Sequence, residues 1–133
     1  MSVSPTANQG DIRRALHIVQ VHTEGAVRVV SFARDERGQV PNDAVRAYFA
    51  SLMLDHTHEW HRVVFDLSGV ASLDSAALGP LVQKLRETQA SQGRLVLTGV
   101  EAPALREIFA LTRFDRVFPI LPNRAAAIAM AAS

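Results

Sequence analysis

The 133-residue chain contains no cysteine. Disulfides, thiolate metal sites and cysteine nucleophiles are therefore excluded. Neither sign of charge is in excess: 14 Lys and Arg face 13 Asp and Glu, a net charge of +1. No basic tract of the kind that tracks a phosphate backbone is present, so nucleic acid is not an expected partner. No apolar run approaches the roughly 20 residues needed to span a bilayer. Met1–Arg14 lacks the apolar core of a signal peptide, and membrane insertion is not expected. These absences point to a cytoplasmic protein. Glycine-rich phosphate cradles are also missing: neither G-x-G-x-x-G nor G-x-x-x-x-G-K-[ST] occurs. No G-x-S-x-G nucleophile elbow surrounds any serine. What remains is an apolar content of 48% with 20% charged residues, ordinary for one globular domain that buries a single core.

Periodicity organises that domain. Residues 1–13 are polar and read as a disordered arm, with a single domain over 14–133. Leu16–His22 and Ala26–Phe32 are β-rich runs around Thr23–Glu24–Gly25, a hairpin signal. Arg34–Pro41 is a charged loop. Asn42 is an expected helix N-cap, followed by the stripe Val45, Tyr48, Phe49 and Leu52. Arg62–Leu67 is a nearly continuous apolar run, as expected of a central strand covered on both faces. Leu78, Leu81, Val82 and Leu85 form the stripe of the next helix, with Gln83, Lys84, Arg86 and Glu87 facing away and Gln92–Gly93 ending it. Arg94–Thr98 is a strand. Pro103 opens a third helix with the stripe Leu105, Ile108, Phe109 and Thr112. Arg116–Leu121 is a last strand that lies at an edge or ends at Pro119, which cannot donate to a ladder, and Asn123 caps an alanine-rich final helix. The predicted class is α/β, in the order β-β-α-β-α-β-α-β-α. Alternating strands and helices imply a mixed, mostly parallel sheet with an antiparallel N-terminal hairpin strand.

Few residues in this frame can carry chemistry. The histidines of H-T-H-E-W-H (His56, His58, His61) straddle a helix-to-strand connection without supporting ligands, so they read as a solvated loop; no metal and no cofactor are expected. Trp60 reads as a strand-edge core residue. Asp66 ends a central strand, as the acceptor of a two-component receiver does. The accompanying acidic pair is missing, however, and the only lysine is Lys84. The remaining candidate is the Asp74–Ser75 step, where a strand's outgoing loop meets a helix. There both residues are good caps, and Ser75 is also placed to accept a phosphoryl group beside helix N–H groups.

The run V-V-F-D-L-S-G-V-A-S-L-D-S-A-A-L-G-P-L resembles the signature of STAS domains, the anti-sigma factor antagonist family. The later G-R-L-V-L-T-G-V and L-R-E-I-F-A-L-T-R-F-D-R-V-F-P-I are similar to that family's C-terminal half. The likeness spans about Val27–Met130. It implies the sheet-and-helix fold described above and a non-enzymatic regulatory module. It further implies partner switching: the unmodified protein binds a serine-kinase anti-sigma factor or similar switch kinase, phosphorylation of Ser75 releases it, and a PP2C-type phosphatase resets it. By the same resemblance, Ser72, Asp74, Ser75, Ala76 and Leu78 form the partner surface, together with Arg34–Gly38. The alternative within the family is a phosphorylation-independent scaffold subunit of a stressosome-like or lipid-transport ABC complex. Either monomer or homodimer is compatible with the sequence. Two departures matter: Ala76 and Ala77 replace the second serine and first glycine of the family's D-S-S-G-L-G, and Pro80 predicts an irregular first turn or a later helix start.

Overall fold

The computed structural model describes residues 9–133. A five-stranded sheet runs in the order β1 (Val19–Glu24), β2 (Val27–Phe32), β3 (Arg62–Asp66), β4 (Arg94–Thr98), β5 (Ile120–Leu121). Only β1 and β2 are antiparallel; the other pairs are parallel. The mixed α/β class predicted from the sequence is the one found. As expected, β3 is central and buried along most of its length.

The N-terminus departs from expectation. A helix, α1 (Gln9–Ile18), stands where a polar arm and the start of a strand were predicted, and β1 begins only at Val19. Ile12 and Ala15 lie on the buried side of α1, whereas Leu16 is 62% exposed. The spacing that governs this segment is therefore three residues rather than two. The rest of the proposed arm, residues 1–8, lies outside the described residues. The hairpin turn is Gly25–Ala26, one residue later than predicted, because Glu24 still pairs with Val27. Gly25 takes φ +58°, the left-handed conformation that two-residue hairpins require.

After the charged loop, α2 (Asn42–Ala47) passes through a π-helical stretch (Tyr48–Leu52) into α3 (Met53–His56). Widening the helix inserts one extra residue per turn. Val45, Tyr48 and Phe49 stay buried, but the next fully buried side chain is Met53 rather than Leu52. The remaining helices are α4 (Ser75–Ala90), α5 (Pro103–Leu111) and α6 (Arg124–Ala132). The last predicted strand shrinks to Ile120–Leu121. A 3₁₀ turn at Phe114–Arg116 precedes it, and Phe118 packs edge-on to Phe109 and Phe114.

The sheet's two faces are covered unequally. The larger core joins Val30, Phe32, Val63, Phe65, Leu95 and Leu97 to residues of α1 through α5. On the other face, Val27, Val29, Val64 and Val96 meet Ala127 and Ala131 of α6, small side chains that let one helix lie flat on the valines.

Lys84 does not face solvent as expected. It is 2% exposed, and its Nζ donates to the Thr57 carbonyl at 2.6 Å, closing the end of the α3 segment. Its flexible stem fills the space between α3 and α4.

Candidate functional site

The site is assembled where β3 leaves the sheet. The Asp66 carboxylate closes that end of the strand. Its Oδ1 accepts from the Ser68 amide (3.0 Å) and hydroxyl (2.6 Å). Its Oδ2 accepts from Arg124 Nε and Nη2 at 3.0 and 2.9 Å, a two-pronged pair that ties β3 to α6. Burial alone would raise the Asp66 pKa, but the Ser68 hydrogen bonds and the Arg124 guanidinium more than offset that and hold it below 3.8. The carboxylate thus serves as a structural tie. Because its folded pKa is depressed, its stabilisation is complete above pH 3.8 and is lost as pH falls through the folded value. Asp66→Asn is expected to cost about 2–3 kcal/mol at pH 7. That difference should shrink on acidification toward pH 3, as urea unfolding at the two pH values would show.

Beyond Asp66 the chain is pinned at two points. Asn42 Oδ1 accepts from the amides of Ala71 (3.0 Å) and Ser72 (3.1 Å). Asn42 is therefore not the cap of α2, as its sequence context suggested; Pro41 holds that position, and the Asn42 side chain reaches the loop instead. Leu73, 4% exposed, plugs the core directly before the helix.

Pinned this way, Asp74 is extended (φ −110°, ψ 178°) and its Oδ1 accepts from the Ala77 amide at 3.0 Å. Its carbonyl accepts from the Leu78 amide at 2.9 Å. Asp74 is thus the N-cap, a role generally worth about 1 kcal/mol. Ser75 is the first helical residue; it is exposed, and among the described residues its hydroxyl makes no hydrogen bond. The N–H groups of Ser75 and Ala76 have no acceptor inside the helix. The irregular first turn expected from Pro80 is not seen: α4 runs unbroken from Ser75. Gly79, lacking a Cβ, removes most of the steric conflict between a proline ring and the residue before it.

Ser72, Asp74 and Ala76 are half-buried around the exposed Ser75. Leu78 belongs to the core instead: only 4% exposed, it points into the sheet side of α4 and is not available to a docking partner. On the far side of the Asn42 tether, the charged loop is folded on itself. Arg34 Nη1 donates to the Gly38 carbonyl at 3.0 Å, while Asp35 Oδ1 accepts from the amides of Arg37 and Gln39 at 2.9 and 3.0 Å. This loop borders a cleft of about 560 Å³ shared with Arg14, Asp43, Gly69 and Ala71, so it adjoins the segment leading to Ser75.

Sequence reasoning missed Arg46. Its Nη2 bonds Asp43 Oδ1 at 2.5 Å, and its Nη1 lies 3.9 Å from Asp74 Oδ2. The i, i+4 spacing of Asn42 and Arg46 was a usable signal that both sit on one face of α2. The histidine segment is arranged around aromatic contacts: His56 Nδ1 hydrogen-bonds the Tyr48 hydroxyl at 2.7 Å and packs on Trp60, which is half-buried against the core as expected. Among the described residues no helix is long and apolar enough to cross a membrane.

The comparisons agree with this architecture. BtrV of Bordetella bronchiseptica, catalogued as an anti-sigma factor antagonist, is 35% identical over 68 residues, 51% of this chain and 58% of its own length. The chain thus spans less than two thirds of that curated relative. An anti-sigma factor antagonist (STAS) domain protein of Planctomyces limnophilus superposes with a TM-score of 0.67 at 26% identity, over 86% of this chain and 98% of its own. The Thermotoga maritima protein TM1081 superposes with a TM-score of 0.67 at 19% identity, over 90% and 99% of the two chains; at that identity the likeness is one of fold. Residues 42–127, from the loop tether Asn42 to the α6 alanine on the sheet, match the STAS domain family, and the chain belongs to that family.

Proposed function

We propose that this protein is a regulatory binding module, an anti-sigma factor antagonist whose partner switching is controlled by phosphorylation of Ser75. One observation carries the reading: Asp74 takes the capping role and leaves the Ser75 hydroxyl exposed and, among the described residues, without a hydrogen-bond partner. The sequence offered two residues for one cap. With the cap assigned to Asp74, Ser75 is free to meet a kinase.

A phosphoryl group at Ser75 adds between one and two negative charges at pH 7. It would stand beside Asp74, at the mouth of a helix whose first N–H groups have no acceptor inside the helix. The backbone need not move; the partner would meet a changed charge and shape. The partners of this reading are a serine-kinase anti-sigma factor or similar switch kinase, which binds the unmodified form, and a PP2C-type phosphatase, which restores it. No step asks the protein itself to catalyse a reaction.

The test is phosphoryl transfer from ATP by the cognate kinase. Wild type should be labelled and Ser75→Ala should not; label persisting on Ser75→Ala would place the acceptor elsewhere. In a binding titration, Ser75→Glu should weaken the kinase complex at least about tenfold, since like charges brought together at an interface cost several kcal/mol. Unchanged affinity would reject the charge mechanism.

A further inference from the structure

We propose that Arg46 is the internal counter-charge of the modified site: its guanidinium turns from Asp74 to the phosphoryl group once Ser75 carries one. This rests on the reading of Ser75 as the phosphoacceptor and names how the same site is regulated.

The geometry of the unmodified protein shows a guanidinium only partly engaged. Arg46 Nη2 is bonded to Asp43 Oδ1, within its own helix. Nη1, in contrast, stands 3.9 Å from Asp74 Oδ2, too far for a hydrogen bond, so the link from α2 to the α4 cap is electrostatic and loose. A guanidinium has five N–H donors in a fixed fork. With one hydrogen bond to Asp43, the edge of Arg46 that faces the cap retains donors. Its side chain is 33% exposed, so its approach is constrained without being sealed from water.

The surroundings favour a stronger anion over Asp74. Asp74 is already committed through Oδ1 to the Ala77 amide. A phosphoserine at the next residue would offer three acceptor oxygens and a higher charge, and arginine matches such oxygens two at a time. Among the described residues, the charged groups paired at this corner are Asp43 and Arg46 from α2 and Asp74 from the head of α4. Arg14, Arg34 and Asp35 lie across the cleft that Asp43 also lines. Lys84, on α4 itself, is buried against Thr57 and is not available. Arg46 is therefore the cation already held next to Asp74.

Two consequences follow. The phosphorylated surface would carry less free charge than a bare phosphoserine, and glutamate at position 75, shorter and singly charged, would mimic it incompletely.

The experiment encodes phosphoserine at position 75 during translation, so that no kinase is required, and follows its second ionisation by ³¹P NMR between pH 4 and 8. An unperturbed phosphoserine titrates near pH 6. Wild type is expected to titrate about 0.5 unit below Arg46→Gln, the order expected of one partly exposed ion pair, with Arg46→Lys in between. Equal values for wild type and Arg46→Gln would overturn the proposal. If Arg46→Gln does not fold, the wild-type protein decides alone. The Arg46 Nε–H resonance should move with the phosphate titration in the modified protein and stay fixed over that range in the unmodified one; a resonance unmoved in both would overturn it. Failure of kinase labelling with a normal Arg46 response would reject Ser75 as the acceptor, and with it the regulatory role of Arg46, while showing that the pairing geometry is right; labelling without an Arg46 response would reject only the inference.

Discussion

Phe49→Ala is expected to lower the stability of the fold by about 3–5 kcal/mol, the largest loss among the single changes considered. Phe49 is 1% exposed in the π-helical stretch between α2 and α3. Its ring meets three others edge-on: Phe32 at 5.8 Å, Tyr48 at 5.3 Å and Phe65 at 5.3 Å between centroids. It therefore joins β2, the helical layer and the central strand at a single point. Alanine would remove both the transfer energy of the ring and its contacts, and the cavity would be walled by sheet residues that cannot close over it. Against a typical total of 5–15 kcal/mol, such a loss leaves a marginal domain. Urea unfolding should show a much lower midpoint at an unchanged slope. Phe49→Leu, which keeps the site apolar and partly filled, should cost distinctly less. Equal midpoints for wild type and Phe49→Ala would mean that the aromatic junction is not where the layers are held together.

A second large effect is expected from a single methyl group. Gly93 joins α4 to β4, and a Cβ built there would lie 1.9 Å from the His61 carbonyl oxygen and 2.8 Å from its carbon. That oxygen cannot give way, because it accepts from the Arg94 amide at 2.8 Å at the start of the β3–β4 pairing. The Gly93 amide is itself fixed on the Thr88 carbonyl at 2.7 Å. Backbone faces backbone on both sides, with no flexible side chain to absorb the overlap. Gly93→Ala should therefore cost about 3 kcal/mol, the upper range for overpacking. In a thermal melt, a destabilisation of this order lowers the midpoint by roughly 10 °C, at about 2–4 °C per kcal/mol for a domain of this size class. A melt within a degree or two of wild type would show that the β3–β4 junction has slack that its hydrogen bonds do not suggest.

Much of this architecture was readable from residue patterns. The apolar run of β3, the Leu78–Leu81–Leu85 stripe of α4, Pro103 at the head of α5 and the Asn123 cap of α6 are all local signals that the fold keeps. In each case propensity and burial point the same way, so tertiary packing had nothing to overrule. Where they diverge, the pattern misled. Leu16–His17–Ile18 looks like the start of a strand, but packing α1 against α2 rewards a helical Ile12 and Ala15 and leaves Leu16 in solvent. Lys84 looks like a solvent-facing residue of α4, yet a carbonyl at the end of α3 lies within reach of its ammonium. The π-helical stretch left no periodic signal, because the widened turn merely moves the buried position from Leu52 to Met53.

The Asp74–Ser75 step divides in the same way. The sequence alone determined that a small hydroxyl and a carboxylate stand at the head of a helix beyond a central strand, in a chain with no rival nucleophile, thiol or phosphate cradle. It also determined the resemblance that gave the step a meaning. Which of the two residues caps the helix, and which is left free, was decided only in three dimensions. Asn42 holds the Ala71 and Ser72 amides, Leu73 plugs the core, and between them they set Asp74 in the extended conformation that aims its carboxylate at Ala77 and turns Ser75 outward. Arg46, brought in by α2 from 28 residues upstream of Asp74, completes the corner. Contacts of that separation depend on how helices pack across a sheet, and no local pattern encodes them.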